Sequence, residues 1–247
     1  MTYQERTYRY LFAQKDLIHF QVTYKDSDLD IGISRECFSP GIINRAKAIL
    51  QAYRRQLEMY IEEHPFFAHT LSPCNTLPGA PAIAQEMAAA AKLAGVGPMA
   101  AVAGAIAQYV AQDLVGPAAE IIVENGGDIY LNSNRTRHIG IFAGNSSLFT
   151  NRLALKITPE LCPLGICTSS GTVGHSLSFG RADAAVIMAS SSVLADAVAT
   201  AAANVVQQPN DVEKAARLAA SIPGVLGAVV IAGDKLAAWG KITLVQL

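Results

Sequence analysis

The sequence predicts an α+β fold, and three observations carry that expectation. Short segments alternating polar and apolar residues follow one another at hairpin distance, as antiparallel strands with one solvated face do. Longer segments whose apolar residues recur every three or four positions gather in blocks, which argues against a doubly wound sheet. Apolar residues make up 51% of the 247 and charged ones 16%, enough for a real core and too few charges for disorder.

Residues 3–12, 18–25 and 29–34 alternate in this way (FQVTYK, LDIGIS) and predict an opening meander. Residues 40–63 predict a long amphipathic helix, with Ile43, Ala46, Ile49 or Leu50, Tyr53, Leu57 and Tyr60 on one side and Pro65 as its stop. After the proline-rich LSPCNTLPGAP, a helix is expected over 82–94, stopped by Gly95, and another from Pro98 to Leu114. Both are nearly uncharged, which implies burial on most sides. The stretch 96–115 reaches membrane-spanning length, but it is alanine-rich and carries Gln108, Gln112 and Asp113, so a buried helix is the reading.

From residue 119 short strands take over: EIIVE, a tight NGGD turn, DIYLN, HIGIFAG and RLALKIT form a hairpin-rich sheet. Residues 165–180, GICTSSGTVGHSLSFG, read as a glycine-rich loop. A strand at 183–189, an alanine-rich helix at 192–206 and a more polar one at 211–220 come next. GVLGAVVIAG and KLAAWGKITLV close the chain as a hairpin about Gly233 and Asp234.

A net charge of −1 with no run of Lys or Arg argues against nucleic acid and against an anionic membrane surface as partners. Cys37, Cys74, Cys162 and Cys167 are dispersed with no CxxC, so neither a zinc knuckle nor a disulfide framework is expected. The opening MTYQERTYRY lacks the basic start and apolar core of a signal peptide, and a reducing cytoplasm is the expected location.

Three segments have the residue types for chemistry. In ENGGDIY (124–130), two glycines allow positive φ and close approach of a ligand, with Asn125, Gly126, Gly127 and Asp128 at the strand ends; the plain alternative is a hairpin turn. In 165–180, Thr168, Ser169, Ser170 and Gly171 offer hydroxyls and backbone N–H groups to an anion, and His175 can serve as a base near neutral pH. Here the alternative is a bland loop with a satisfied histidine. In SSVLADAVATAAANVV (191–206), Asp196, Thr200 and Asn204 recur every four residues and fall in one row, suited to a hard cation such as Mg²⁺ or, alternatively, to water. Ser169 or Ser170 with His175 and Asp183 has the residue types of a hydrolase triad but no GxSxG elbow, and Cys167 beside His175 is a further nucleophile candidate. His19, His64, His69 and His138 have no metal spacing.

NGGDI, the TSSG-to-histidine segment and ADAVAT, in this order, resemble the landmarks of the ApbE superfamily, the FAD:protein FMN transferases once linked to thiamine biosynthesis. APAIAQEMAAAAKLAGVGPMAAVAGAIA, IVENGGDIYL, CTSSGTVGHSLSFGRADA and ADAVATAAANVV are similar to a short branch of it over nearly the whole chain. The resemblance implies two T-fold-like halves, antiparallel sheets backed by helices, within a single unit over 1–247. It also implies Mg²⁺-assisted attack of a protein threonine on FAD, releasing AMP. By position, Asp196 and Thr200 match the metal pair, Ala105 the residue whose carbonyl joins them, His175 the base, and the GGD turn a flavin-side loop.

Two departures accompany it. Gln108 and Tyr109 stand where the family carries lysine then glycine, and the long segment after the histidine is shortened to SLSFG. The branch is also associated with sulfur assimilation and homocysteine formation in anaerobes. The expectation is therefore an Mg²⁺-dependent site for FAD or another nucleotide diphosphate, with an acceptor protein as partner and a homo-oligomeric state. The alternative is a noncatalytic accessory protein acting through Cys167.

Overall fold

The computed structural model describes residues 14–116, 119–144, 149–150, 152–172 and 179–246; the strand expected at 3–12 lies outside them. Strands β1 (Ile18–Tyr24) and β2 (Ser27–Ile33) form a hairpin with Val22 opposite Leu29. Helix α1 (Ile42–Glu63) buries Ala46, Leu50, Leu57 and Tyr60. Pro65 both ends α1 and opens a short α2 (Pro65–His69), since its fixed φ suits a first turn. Helix α3 (Ala82–Ala94) stops where Gly95 takes φ 73°, a left-handed cap favouring glycine. The next helix begins as a 3-10 turn at Pro98–Ala101 and becomes α4 (Val102–Leu114).

The main sheet is antiparallel and eight-stranded, in the order β1-β2-β3-β4-β7-β8-β9-β10. To β1 and β2 it adds β3 (Ile121–Asn125), β4 (Asp128–Asn132), β7 (Leu164–Ser169), β8 (Ala184–Ala189), β9 (Val225–Ala232) and β10 (Lys235–Gly240). A second sheet, order β11-β6-β5, holds β5 (Arg137–Gly140), β6 (Leu153–Ile157) and β11 (Leu244–Gln246). Helices α5 (Ser192–Val205) and α6 (Val212–Ala220) complete the described elements. With neighbours antiparallel throughout and helices in blocks, the class is α+β.

Side-chain alternation sorts two cores. Leu29, Ile31, Val123, Ile187 and Val230 face the helices, while Ile122, Leu131, Ile166, Val186 and Ile231 face Leu155 and Ile157 of the small sheet. The result is three layers, with helices on one face of the large sheet and the small sheet on the other.

Three sequence readings need correction. Residues 164–169 are a strand and not the start of a loop: Ile166, Cys167 and Thr168 pair with Met188, Ile187 and Val186, and Gly165 is there for packing. A Cβ on Gly165 would lie 2.3 Å from Ser192 Cα, so its absence lets α5 sit directly on the sheet. KLAAWGKITLV is not one strand, because Gly240 at φ 82° turns the chain and β11 pairs with β6. HIGIFAG and RLALKIT leave the main sheet for the small one.

The 96–115 stretch is packed into the core, with Ala105, Ile106, Ala107, Val110 and Ala111 buried. Among the described residues no single helix is long and apolar enough to cross a membrane; α3 with the 98–114 segment reaches that length only as a pair bent by 103°.

Candidate functional site

The β3–β4 turn is built by Gly126 at φ 71° and Gly127 at φ 104°, the two left-handed positions of a type I′ hairpin. Glu124 Oε1 accepts the Gly127 N–H at 2.6 Å, which holds the turn from the small-sheet side. On the helix side, Asn125 Nδ2 donates to Ala103 O at 3.1 Å, tying the hairpin to the start of α4. Asp128 faces the same way and accepts the Thr168 N–H at 3.3 Å.

Helix α4 has no side-chain cap of its own. Asp196 of α5 supplies one: its Oδ2 accepts the Gly104 N–H at 2.8 Å, satisfying a free donor of the first turn. Gly104 permits this approach, since a Cβ there would lie 2.2 Å from Ser192 O and 2.9 Å from Asp196 Cβ. Ala105, next along, is fully buried in the same turn.

Capping accounts for Asp196 but not for the second carboxyl beside it. Burial raises Asp196 to about 7, partly opposed by the Gly104 and Ala103 backbone N–H groups. Burial and then the Asp196 charge push Asp128 well above the usual carboxylate range. Both acids are thus held toward their protonated forms, by burial and, for Asp128, by the charge beside it. Among the described residues no cationic side chain forms a hydrogen bond or ion pair with either acid. Cys167, fully buried, completes the group: its thiol donates to Ser192 O at 3.4 Å, and burial with the two acids pushes it well up. A thiol so protonated is a poor nucleophile.

The arms of the 165–180 segment lie further along α5. Alternation turns Ser169, buried, toward the helices and half-buried Thr168 to the opposite face, so their side chains do not meet. Ser170 Oγ lies 3.3 Å from Thr172 Oγ1, which donates to Asp183 Oδ1 at 3.0 Å, and Asp183 Oδ2 accepts the Gly233 N–H at 2.7 Å. The Gly171 N–H donates to Ala182 O at 2.9 Å. Thr200, half-buried, sits one helical turn beyond Asp196, and Asn204 one turn further accepts the Phe179 N–H at 2.9 Å. His175 lies outside the described residues.

Some of these positions were not legible in the sequence. Gln108 is buried, with Oε1 accepting the Ser192 N–H at 2.9 Å and Nε2 donating to Glu86 at 3.1 Å, so it fastens α4 to α3 and α5. Gly104 carried the one available signal, a lone glycine inside an alanine-rich helix. Among the described residues no three of His, Cys, Asp and Glu gather in a metal-holding group. The two carboxyls that do come together, Asp128 and Asp196, are oxygen donors of the type a hard cation takes, and Thr200 follows Asp196 by one turn of α5.

The family described as "AbpE bacteria" matches residues 9–231. A UPF0280 protein of Methanosarcina acetivorans is 41% identical over 205 residues, covering 82% of this chain and 80% of that protein. The fold is similar to the Pseudomonas stutzeri flavinyl transferase ApbE in its apo form, at TM-score 0.60 and 13% identity over 90% of this chain and 93% of that one. It is equally similar to the flavin transferase ApbE from Vibrio cholerae, at TM-score 0.60 and 13% identity over 90% and 96%.

Proposed function

Because this chain belongs to the family described as "AbpE bacteria", we propose that it binds FAD with Mg²⁺ and transfers the FMN half to a hydroxyl of an acceptor protein. The fold it shares with the two flavin transferases supports this reading. One observation carries it: two buried carboxyls, Asp128 and Asp196, interact with each other, and among the described residues no cationic side chain bonds to either. A divalent cation replacing their protons resolves that arrangement, and a nucleotide diphosphate brings such a cation with it.

Asp196 and Asp128, the Thr200 hydroxyl and the Ala105 carbonyl would hold the ion. A Mg²⁺ ion held there would supply positive charge to offset that of the diphosphate. The Asn125–Asp128 turn would present its backbone to the ligand, and within Thr168 to Gly171 the Ser169 hydroxyl turns to the helix side while the Thr168 and Gly171 N–H groups are already bonded within the protein. His175 takes the proton of the acceptor hydroxyl. The oxygen forms its bond to the FMN phosphorus, the diphosphate bond breaks, and AMP leaves with the electron pair.

Incubation with FAD, Mg²⁺ and a threonine-containing acceptor should release AMP and leave flavin on the acceptor, and Asp196→Asn should abolish both. Calorimetry showing FAD binding indifferent to Mg²⁺ and to Asp196→Asn would remove the assignment. A second reading, binding without transfer, is favoured by Gln108, a neutral amide engaged at both ends where the resemblance puts a lysine. Metal-dependent FAD binding without AMP release selects it. Cys167 has no part in either reading, being buried and protonated.

A further inference from the structure

Phe179 is 58% exposed, yet the backbone beneath it is held on both sides. Its N–H donates to Asn204 Oδ1 at 2.9 Å, and its carbonyl accepts from Gln207 Nε2 at 3.1 Å. The same Gln207 nitrogen donates to Asn204 O at 3.0 Å, so two side-chain amides brace one residue. Gly180 presses the chain onto α5, since a Cβ there would lie 1.8 Å from Ala203 O. The side chains flanking it, Phe179 and Arg181, are both exposed, and no ion pair engages Arg181 among the described residues.

A single exposed apolar side chain is ordinary on a protein surface. A ring on a braced backbone differs, because its ordering has already been met by the fold and a ligand stacking on it loses little further entropy. Its placement matters as well. Asn204 is on the face of α5 that carries Thr200 and Asp196, and about 12 Å of helix separates Asn204 from Asp196 at ~1.5 Å per residue. A molecule with phosphates at one end and a flat ring at the other spans such a distance.

We propose that Phe179, with Arg181 beside it, seats the planar aromatic ring of a nucleotide whose phosphates point toward Asp196. This rests on the function proposed above and adds the ring's position and the residue that recognises it. The ring is either the flavin or the adenine, and both offer the same stacking face.

The test titrates the full-length protein with FMN and with ADP, each with Mg²⁺, for the parent, Phe179→Ala and Phe179→Tyr. Loss of the ring should weaken one probe about tenfold, the size of a base–aromatic stack. Phe179→Tyr, which keeps the face, should stay within about twofold. Weakening of FMN alone places the flavin on Phe179, and weakening of ADP alone places the adenine there. In Phe179→Trp the indole emission should be quenched by the same probe, a readout that a merely structural role does not produce. An unchanged melting temperature in Phe179→Ala confirms the fold.

Equal affinities of parent and Phe179→Ala for both probes would overturn the seat. If Asp196→Asn at the same time loses Mg²⁺-dependent binding, the proposed function survives without it. A parent protein that binds neither probe brings down both.

Discussion

Asp196 joins two demands that act oppositely on its proton. As a cap for α4 it works best ionised, and as a carboxyl buried away from water it resists ionisation. Its carboxyl ionises near 3.8 in the unfolded chain and only at about 7 in the folded one. Between those values the unfolded chain gives up a proton that the folded protein keeps, so this group's contribution to stability falls as pH rises through the window and then levels off. Asp196→Asn keeps an oxygen for the Gly104 N–H and removes the titration. Its melting temperature should therefore gain on the parent from about pH 4 to about pH 7 without metal. A constant difference over that range would contradict the environment described for Asp196. Cys167 makes a second prediction at this scale. In the folded protein iodoacetamide should reach Cys37, Cys74 and Cys162, which are half-buried, well before Cys167, and unfolding should equalise the rates. The chemical types at this site, acid, hydroxyl and glycine, could be read from NGGD and the Asp196–Thr200–Asn204 spacing. The high pKa of the acids could not, because it comes from burial and from a neighbour far away in sequence.

The elements meet through glycines more than through large side chains. Gly104 and Gly165 let α4, α5 and β7 approach at Ser192. Gly104→Ala or Gly165→Ala forces backbone apart and should destabilise by about 2 kcal/mol or more in denaturant titration, with Gly104→Ala also loosening the Asp196 contact. A loss under about 0.5 kcal/mol would show that the helices have room to shift. The small sheet is fastened differently. Arg137 of β5 is buried and donates to Asp16 at 2.6 and 2.9 Å and to Glu120 at 2.5 Å, with Ser133 bridging. Arg137→Ala leaves the buried Glu120 charge without its cation, and should destabilise by about 3–5 kcal/mol. Helix ends and the tight turn were readable because Gly95, Pro65 and NGGD act within a few residues. Strand β7 was not, since its glycine and hydroxyls resemble a loop until β4 and β8 are placed on either side.

Across the whole molecule, the helices and the small sheet cover opposite faces of the large sheet. Most charge is thereby left to a modest surface that also carries Met59 at 63%, Phe66 at 60% and Leu71 at 58% exposure. With only 16% of residues charged, we expect a homo-oligomer, and light scattering on a sizing column should give a mass above that of one chain. A single-chain mass over the accessible concentration range would refute it. What the sequence by itself determined is local or periodic: the α+β class, the antiparallel hairpins, the caps, and the polar row on α5. Each depends on backbone preference or on side chains a few positions apart. Only the tertiary structure decided that Asp128 and Asp196 are brought together in the interior, that Cys167 is buried beside them, and that β5, β6 and β11 form a separate layer. Those contacts join distant stretches of chain, and their energies exist only once water has been excluded from between them.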